Sequence, residues 1–359
     1  MSAAPADVDL DDADGLLEAD TDGLLRASAM AGAQVRATAA AVDEGALESV
    51  AGGQRPRTVI WLAGRGPAEA AGSLLISALA GRAGEPLVTA TEAPPWIGPL
   101  DVLIVAGDDP GDPAVVSAAA TAVRRGARVV VAAPYLGPLR DATAGRAAVL
   151  EPRLGVPDEF GLCRYLAAGL ATMAAVDPST PSAGLAALAD GLDAEALRNS
   201  AAREVFTNPA KALAERMAGR QVVLTGDCPA TLALARHASS VLVRVAGQPV
   251  AAVGLGDVVV ALRRGILAGR TDPVDALFHD EEIDGPLPGR PRVVALSLAD
   301  ERQVLVARTA GLDDVHLVGA EDVGEAGSAP PAAVRAEEQL ATLAVRLEMA
   351  AVYRKLAGG

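Results

Sequence analysis

The chain has 359 residues, room for two domains or for two lobes around one cleft. It is 51% apolar but only 2% aromatic, so its core must be built mostly from Ala, Val and Leu. A formal net charge of −15 with no basic tract excludes the electrostatic footprint of a nucleic-acid binder.

The amino-terminal fifty residues hold eleven acidic and two basic side chains, and residues 1–54 read as an acidic helical arm. Aspartates interrupt the first apolar residues, which does not fit a signal peptide. Residues 10–25 are Leu/Asp-rich, with a short helix or turn over 14–25, and 28–44 is Ala-rich and helical. Gly52-Gly53-Gln54 breaks that helix. The first strong strand is 58–63, TVIWLA, and it runs into Gly64-Arg65-Gly66-Pro67 and a helix to about residue 80. Pro67 is well placed just inside a helix start, where its missing N–H would have been unpaired anyway. A short strand follows at 86–91, then the rigid turn Pro94-Pro95-Trp96. Residues 101–112, DVLIVAGDDPGD, organise this half: five apolar residues, a Gly turn and an Asp-rich loop lead into a helix over 113–125. Strands at 128–132 and 147–151 and a helix at 136–145 continue the alternation, which predicts a parallel sheet with helices on both faces. Residues 158–176 read as a long buried helix; its apolar segment, 162–176, contains Arg164 and is too short to span a bilayer. A Pro/Ser-rich connector at 177–184 marks the expected lobe boundary.

The second half repeats the grammar. Residues 220–230, RQVVLTGDCPA, match 57–68 as strand, Gly loop, Pro and Ala-rich helix. Strands are expected at 240–245, 292–298 and 314–318. Residues 324–331 form a linker, and 332–356 reads as a closing amphipathic helix with Leu340, Leu343, Leu347 and Leu356 along one side. The expected division is therefore an arm (1–54), two α/β lobes (55–182 and 183–331) and a closing helix (332–359).

Gly64-Arg65-Gly66 is no dinucleotide fingerprint, because the third glycine, Gly72, comes too late. It is either an anion site, with Arg65 and backbone amides as donors, or a plain turn with a solvated arginine. The loop after residue 106 carries Gly107, Asp108, Asp109 and Asp112 where a helix start would suit an anion. These aspartates either cap the helix or bind a cation or sugar hydroxyls. Of three histidines, His237 falls on a helix and His316 inside a strand pattern, while His279 sits in a charged loop beside carboxylates. None has metal-ligand spacing to another, so no metal is expected. His279 is the acid/base candidate, against a solvated surface histidine. Cys163 and Cys228 stand far apart without CxxC spacing and read as structural thiols of a reducing compartment. A soluble cytoplasmic protein is expected.

Taken in order, the Leu/Asp-rich arm, the strand–Gly loop–helix, the strand after Glu85-Pro86, Pro95-Trp96-Ile97-Gly98, the 101–106 strand and Gly126-Ala127-Arg128-Val129 resemble the sugar isomerase (SIS) fold. More narrowly, the arrangement is similar to bifunctional phosphoglucose/phosphomannose isomerases, and among them to the shorter TobH-type proteins. The resemblance implies two doubly wound SIS lobes, a homodimer, a sugar or sugar-phosphate ligand and no cofactor. It also implies losses. The family's Ser-rich phosphate loop is here Gly107-Asp108-Asp109-Pro110-Gly111-Asp112, its Gly-Gly-Ser loop is Arg65-Gly66-Pro67, and its Pro-Arg pair is Pro157-Asp158. The region of its catalytic Glu, 237–243, has no carboxylate, and its ring-opening His-Asn-Glu element is absent near 251–255. Arg65, Tyr135, Asp227 and His279 are the positions where new roles would have to arise.

Overall fold

Nine described strands divide into two parallel sheets of the same design. The structure, a computed structural model, describes residues 8–180, 183–268, 291–312, 314–322 and 334–358. In the first sheet, β1 (Thr58–Ala63), β2 (Leu87–Ala90), β3 (Asp101–Ala106), β4 (Arg128–Ala132) and β5 (Ala148–Val149) lie in the order β2-β1-β3-β4-β5. In the second, β6 (Val222–Gly226), β7 (Ala251–Gly254), β8 (Arg292–Leu296) and β9 (Val315–Val318) lie in the order β7-β6-β8-β9. Both sheets thus reverse direction beside their first strand, where loops diverge and leave a crevice at the carboxyl ends. β1 and β3 pair in register from Thr58 opposite Asp101 to Ala63 opposite Ala106. β3 is buried along its whole length, which is why it is apolar without alternation.

Thirteen described α-helices surround these sheets. The first lobe and its arm contain α1 (Ala13–Ala19), α2 (Leu24–Ser28), α3 (Ala31–Asp43), α4 (Pro67–Leu79), α5 (Pro113–Arg124), α6 (Gly137–Thr143) and α7 (Leu162–Val176). Then come α8 (Leu185–Arg198), α9 (Pro209–Met217), α10 (Pro229–Ala246), α11 (Leu255–Arg263), α12 (Arg302–Thr309) and α13 (Ala336–Leu356). Helices α4, α7, α10 and α13 share one apolar core with the inner faces of both sheets, through Trp61 and Ile104 on one side and Leu224 and Val294 on the other. Helices α5 and α6 cover the outer face of the first sheet, and α11 and α12 cover that of the second. No described helix is long and apolar enough to cross a membrane. Both cysteines are free thiols.

Two expectations fail. Residues 240–245 are not a strand but the last turns of α10. Their Val-rich composition favours β structure, yet Leu234, Ala238, Val241 and Leu242 are buried at helical spacing against α4 and α13, and packing overrides propensity. The edge strand of this sheet is instead β7, a short half-exposed segment with little sequence signal. The carboxy-terminal helix α13 is not a closing amphipathic element either. It runs through the centre, with Leu340, Val345, Met349 and Val352 buried around its circumference. Its charged groups are accepted there because other elements satisfy them: Arg346 meets Glu195 of α8, and Glu348 meets His237 of α10 at 2.8 Å. Burial raises the Glu348 carboxyl above its usual range, and the hydrogen bond with His237 offsets only part of that rise. The 158–176 helix begins with a separate 3-10 turn at Asp158–Phe160, and the expected 324–331 linker lies outside the described residues.

Just past α7, Asp177 is buried and accepts from Ser179 Oγ at 2.6 Å, Thr180 Oγ1 and Arg55 Nη2 at 2.6 Å. Desolvation alone would raise this carboxyl, but those hydrogen bonds outweigh it and hold it well below the usual range. Arg55 also faces Glu85, whose carboxyl is raised by burial and by Asp177. A depressed carboxyl stabilises the fold above its unfolded pKa of about 3.9 and loses that contribution as pH falls. Urea unfolding of the wild type and of Asp177→Asn should therefore show a stability gap near neutrality that narrows below about pH 4. A gap that is flat or widening toward acid would contradict this assignment.

Candidate functional site

The loops that leave β1 and β3 form the walls of a cleft of about 510 Å³. On one side are Gly64, Arg65 and Gly66; on the other are Gly107, Asp108, Asp109 and Asp112; Asp158 and Arg244 close the rim. Gly66 has φ 84° and ψ −140°, a conformation that L residues rarely adopt, and it turns the chain from β1 into Pro67 at the start of α4.

Aspartates have taken several of the donors an anion would use. Asp112 is the N-cap of α5 and accepts from the Ala114 amide at 2.8 Å, and Asp109 accepts from the Gly111 amide at 2.7 Å. Asp108 Oδ1 accepts from Arg164 Nη2 at 2.8 Å and from the Tyr165 hydroxyl. Arg164 lies over the Tyr165 ring, its Cζ 4.1 Å from the centroid, and is nine-tenths buried. Arg164 therefore reaches the site, but Asp108 neutralises it. Arg244 bridges to Glu159 at 3.0 Å, tying α10 to the segment before α7. Asp158 is on the exposed rim; partial desolvation, then the carboxylates of Asp108 and Glu159, raise its pKa against the pull of Arg244 and Arg164. Arg65 is exposed and forms no ion pair with a described residue.

Of the residues singled out in the sequence, Gly64, Arg65, Gly66, Gly107, Asp108 and Asp109 meet in this cleft. Tyr135 does not line it. Its ring packs beside the outer core of the first sheet, and its hydroxyl lies 2.8 Å from Thr143 Oγ1. Asp227 lies in another cavity, at the end of β6, and is ion-paired with Arg308. His279 lies outside the described residues. His237 is buried in the central layer, and His316 sits in β9, its pKa lowered first by burial and then by Arg216 and Arg292. Among the described residues no group of three or more side chains is placed to hold a metal ion.

Sequence reading missed Arg164, Tyr165, Glu159 and Arg244 as parts of the site. A lone arginine in the apolar 162–176 run was the available signal, since a buried guanidinium needs a carboxylate partner. Arg244 was hidden by the strand reading of 240–245. The stretch 237–243 has no carboxylate of its own, and the one that meets it, Glu348, comes from α13 and is almost wholly buried.

Two doubly wound parallel sheets that sandwich shared helices, with a cleft at the β1/β3 crevice, define the fold as that of the two-lobed sugar isomerases. Solved structures show this likeness along nearly the whole chain. Tagatose-6-phosphate ketose/aldose isomerase of Escherichia coli superposes with a TM-score of 0.59 at 16% identity, covering 93% of this chain and 91% of that one. A candidate phosphosugar isomerase of Clostridium difficile gives 0.63 at 10% identity, with 94% and 93% covered. The C-terminal domain of glucosamine-fructose-6-phosphate aminotransferase of Francisella tularensis gives 0.52 at 10% identity, with 91% and 95% covered. At these identities the likeness is one of fold. The sequence matches no protein-family model and no curated protein.

Proposed function

We propose that this chain binds a carbohydrate derivative in the β1/β3 cleft and has lost efficient sugar-phosphate isomerisation, its lineage being that of the bifunctional glucose-6-phosphate/mannose-6-phosphate isomerases. One observation carries the reading: Asp109 occupies the loop amide of Gly111, Asp112 the amide of Ala114 at the start of α5, and Asp108 neutralises Arg164. A phosphate dianion would meet these carboxylates, with Arg65 as the cleft cation that has no ion pair to a described residue. At an effective dielectric of about 20, like unit charges about 5 Å apart repel by roughly 3 kcal/mol. Carboxylates are good acceptors for the hydroxyls of an uncharged sugar.

Aldose–ketose isomerisation moves a proton between adjacent carbons and needs a base, a ring-opening acid and positive charge at the developing oxyanion. Of the four positions where replacements could arise, only Arg65 lies in the cleft among the described residues. Assays with glucose 6-phosphate, mannose 6-phosphate and fructose 6-phosphate should show turnover lower than that of competent isomerases by orders of magnitude. Calorimetry with glucose 6-phosphate should show a binding event in the Asp109→Ser, Asp112→Ser double variant that is absent from the wild type. Efficient turnover, or phosphate seated against Gly107 in the wild type, would overturn the proposal.

A second reading is a non-catalytic sensor or regulatory subunit in hexose-phosphate metabolism. The Arg244–Glu159 bridge supports it, because it joins elements from the two halves of the chain at the mouth of the same cleft, where a ligand would alter it. As for the family at large, a homodimer and a cytoplasmic location belong with this proposal.

A further inference from the structure

The turn between α4 and β2 holds the segment that leads from α7 to α8 at two points. Arg82 pairs with Glu337, a wholly buried residue of α13 whose Oε1 accepts from the Ala183 amide at 3.0 Å. Three residues on, Glu85 shares the Arg55 guanidinium with Asp177: Nε lies 3.1 Å from Glu85 Oε2, and Nη2 lies 2.6 Å from Asp177 Oδ2. Gly84 makes room for that guanidinium, because a Cβ there would collide with it. The two carboxyl groups are not equally served. Asp177 accepts from Arg55, from the Ser179 amide and from the hydroxyls of Ser179 and Thr180, so it stays ionised although buried. Glu85 is 6% exposed and receives one N–H from Arg55, and its Oε1 has no hydrogen-bond partner among the described residues.

We propose that Glu85 is a protonation switch on this clamp. With a proton on Glu85, Arg55 serves one carboxylate, Asp177, and the turn lies closed on the segment after α7. Ionisation of Glu85 sets a second negative charge beside Asp177 on one guanidinium and leaves Oε1 a buried anionic acceptor without a donor, so the turn and the segment part. The charged groups that face Glu85 are Asp177 and Arg55; burial first, and then Asp177, raise its carboxyl more than Arg55 lowers it. A carboxyl raised in the closed state stabilises that state below its solvated pKa of about 4.3, and the contribution is lost as pH rises through the raised value. Asp177, held low, remains ionised throughout that window. The switch is independent of any ligand in the β1/β3 cleft.

Hydrogen exchange of the full-length chain, read by mass spectrometry of its peptides and corrected for the intrinsic pH dependence of exchange, tests this between about pH 4 and 7. In the wild type, protection of the peptide carrying Ser179, Thr180 and Ala183 should fall as pH rises from about 4.3, by at most tenfold per pH unit, and then level off. Glu85→Gln, neutral and of the same shape, should keep the protection of that peptide constant over the range. A peptide from β3 should behave alike in the two proteins, which separates opening at the clamp from a global change in stability. Wild-type protection that does not vary with pH, or that varies equally in Glu85→Gln, would overturn the switch. So would a difference between the two proteins as large in β3 as after α7.

Discussion

Replacing Arg346 with alanine is expected to destabilise the chain by about 3–5 kcal/mol, the usual effect of removing one partner from a buried ion pair. Arg346 is 1% exposed at the middle of α13. Its Nε donates to Glu195 Oε1 at 2.7 Å, and its two terminal nitrogens donate to the carbonyls of Gly319 at 2.8 Å and Ala320 at 3.1 Å. Alanine would leave Glu195, itself wholly buried, with only Arg198 and Asn199, and would strip two carbonyls of their donor. The result is read as a shift in the urea midpoint at unchanged slope. A loss under about 1 kcal/mol would mean that water or a rearranged Arg198 takes over the role.

Gly226→Ala should cost about 3 kcal/mol or more, because there is no room for one methyl group. A Cβ at this position would stand 2.2 Å from the Leu232 amide nitrogen and 2.3 Å from the Thr231 carbonyl carbon. Those atoms belong to the first turn of α10, so relief requires moving the helix away from β6 rather than turning a side chain. Because α10 packs on α4 and α13, the displacement would spread into the central layer. The same substitution should alter the rate at which iodoacetamide alkylates the Cys228 thiol, since Cys228 is the N-cap of that helix and partly exposed. An alanine variant with wild-type stability would show that the approach of α10 to β6 is looser than these distances imply.

The sheets and the first-lobe loops were legible because their causes are local. A parallel strand buried on both faces must be a continuous apolar run, and 58–63, 101–106 and 128–132 are such runs. Pro67, Pro113 and Pro229 each start a helix where a missing N–H does no harm, and Asp112 caps α5 as an aspartate before a proline should. The Val-rich 240–245 segment misled for the same reason in reverse: propensity is local, and the packing that overrode it is not.

By itself, then, the sequence determined the two repeated α/β halves and the acidic loop after β3, since strand runs, turns and caps are set by neighbours a few residues away. Only the tertiary structure decided what the charges do. Arg164 meets Asp108 across 56 residues, His237 meets Glu348 across 111, and Arg346 reaches Glu195 across 151. Whether a charge is free, neutralised or buried depends on which helix face is brought against which loop, and no local pattern records that. For this reason the aspartates of the loop after β3 could be read in advance, whereas α13 at the centre of the molecule and the pairing of Arg308 with Asp227 could not.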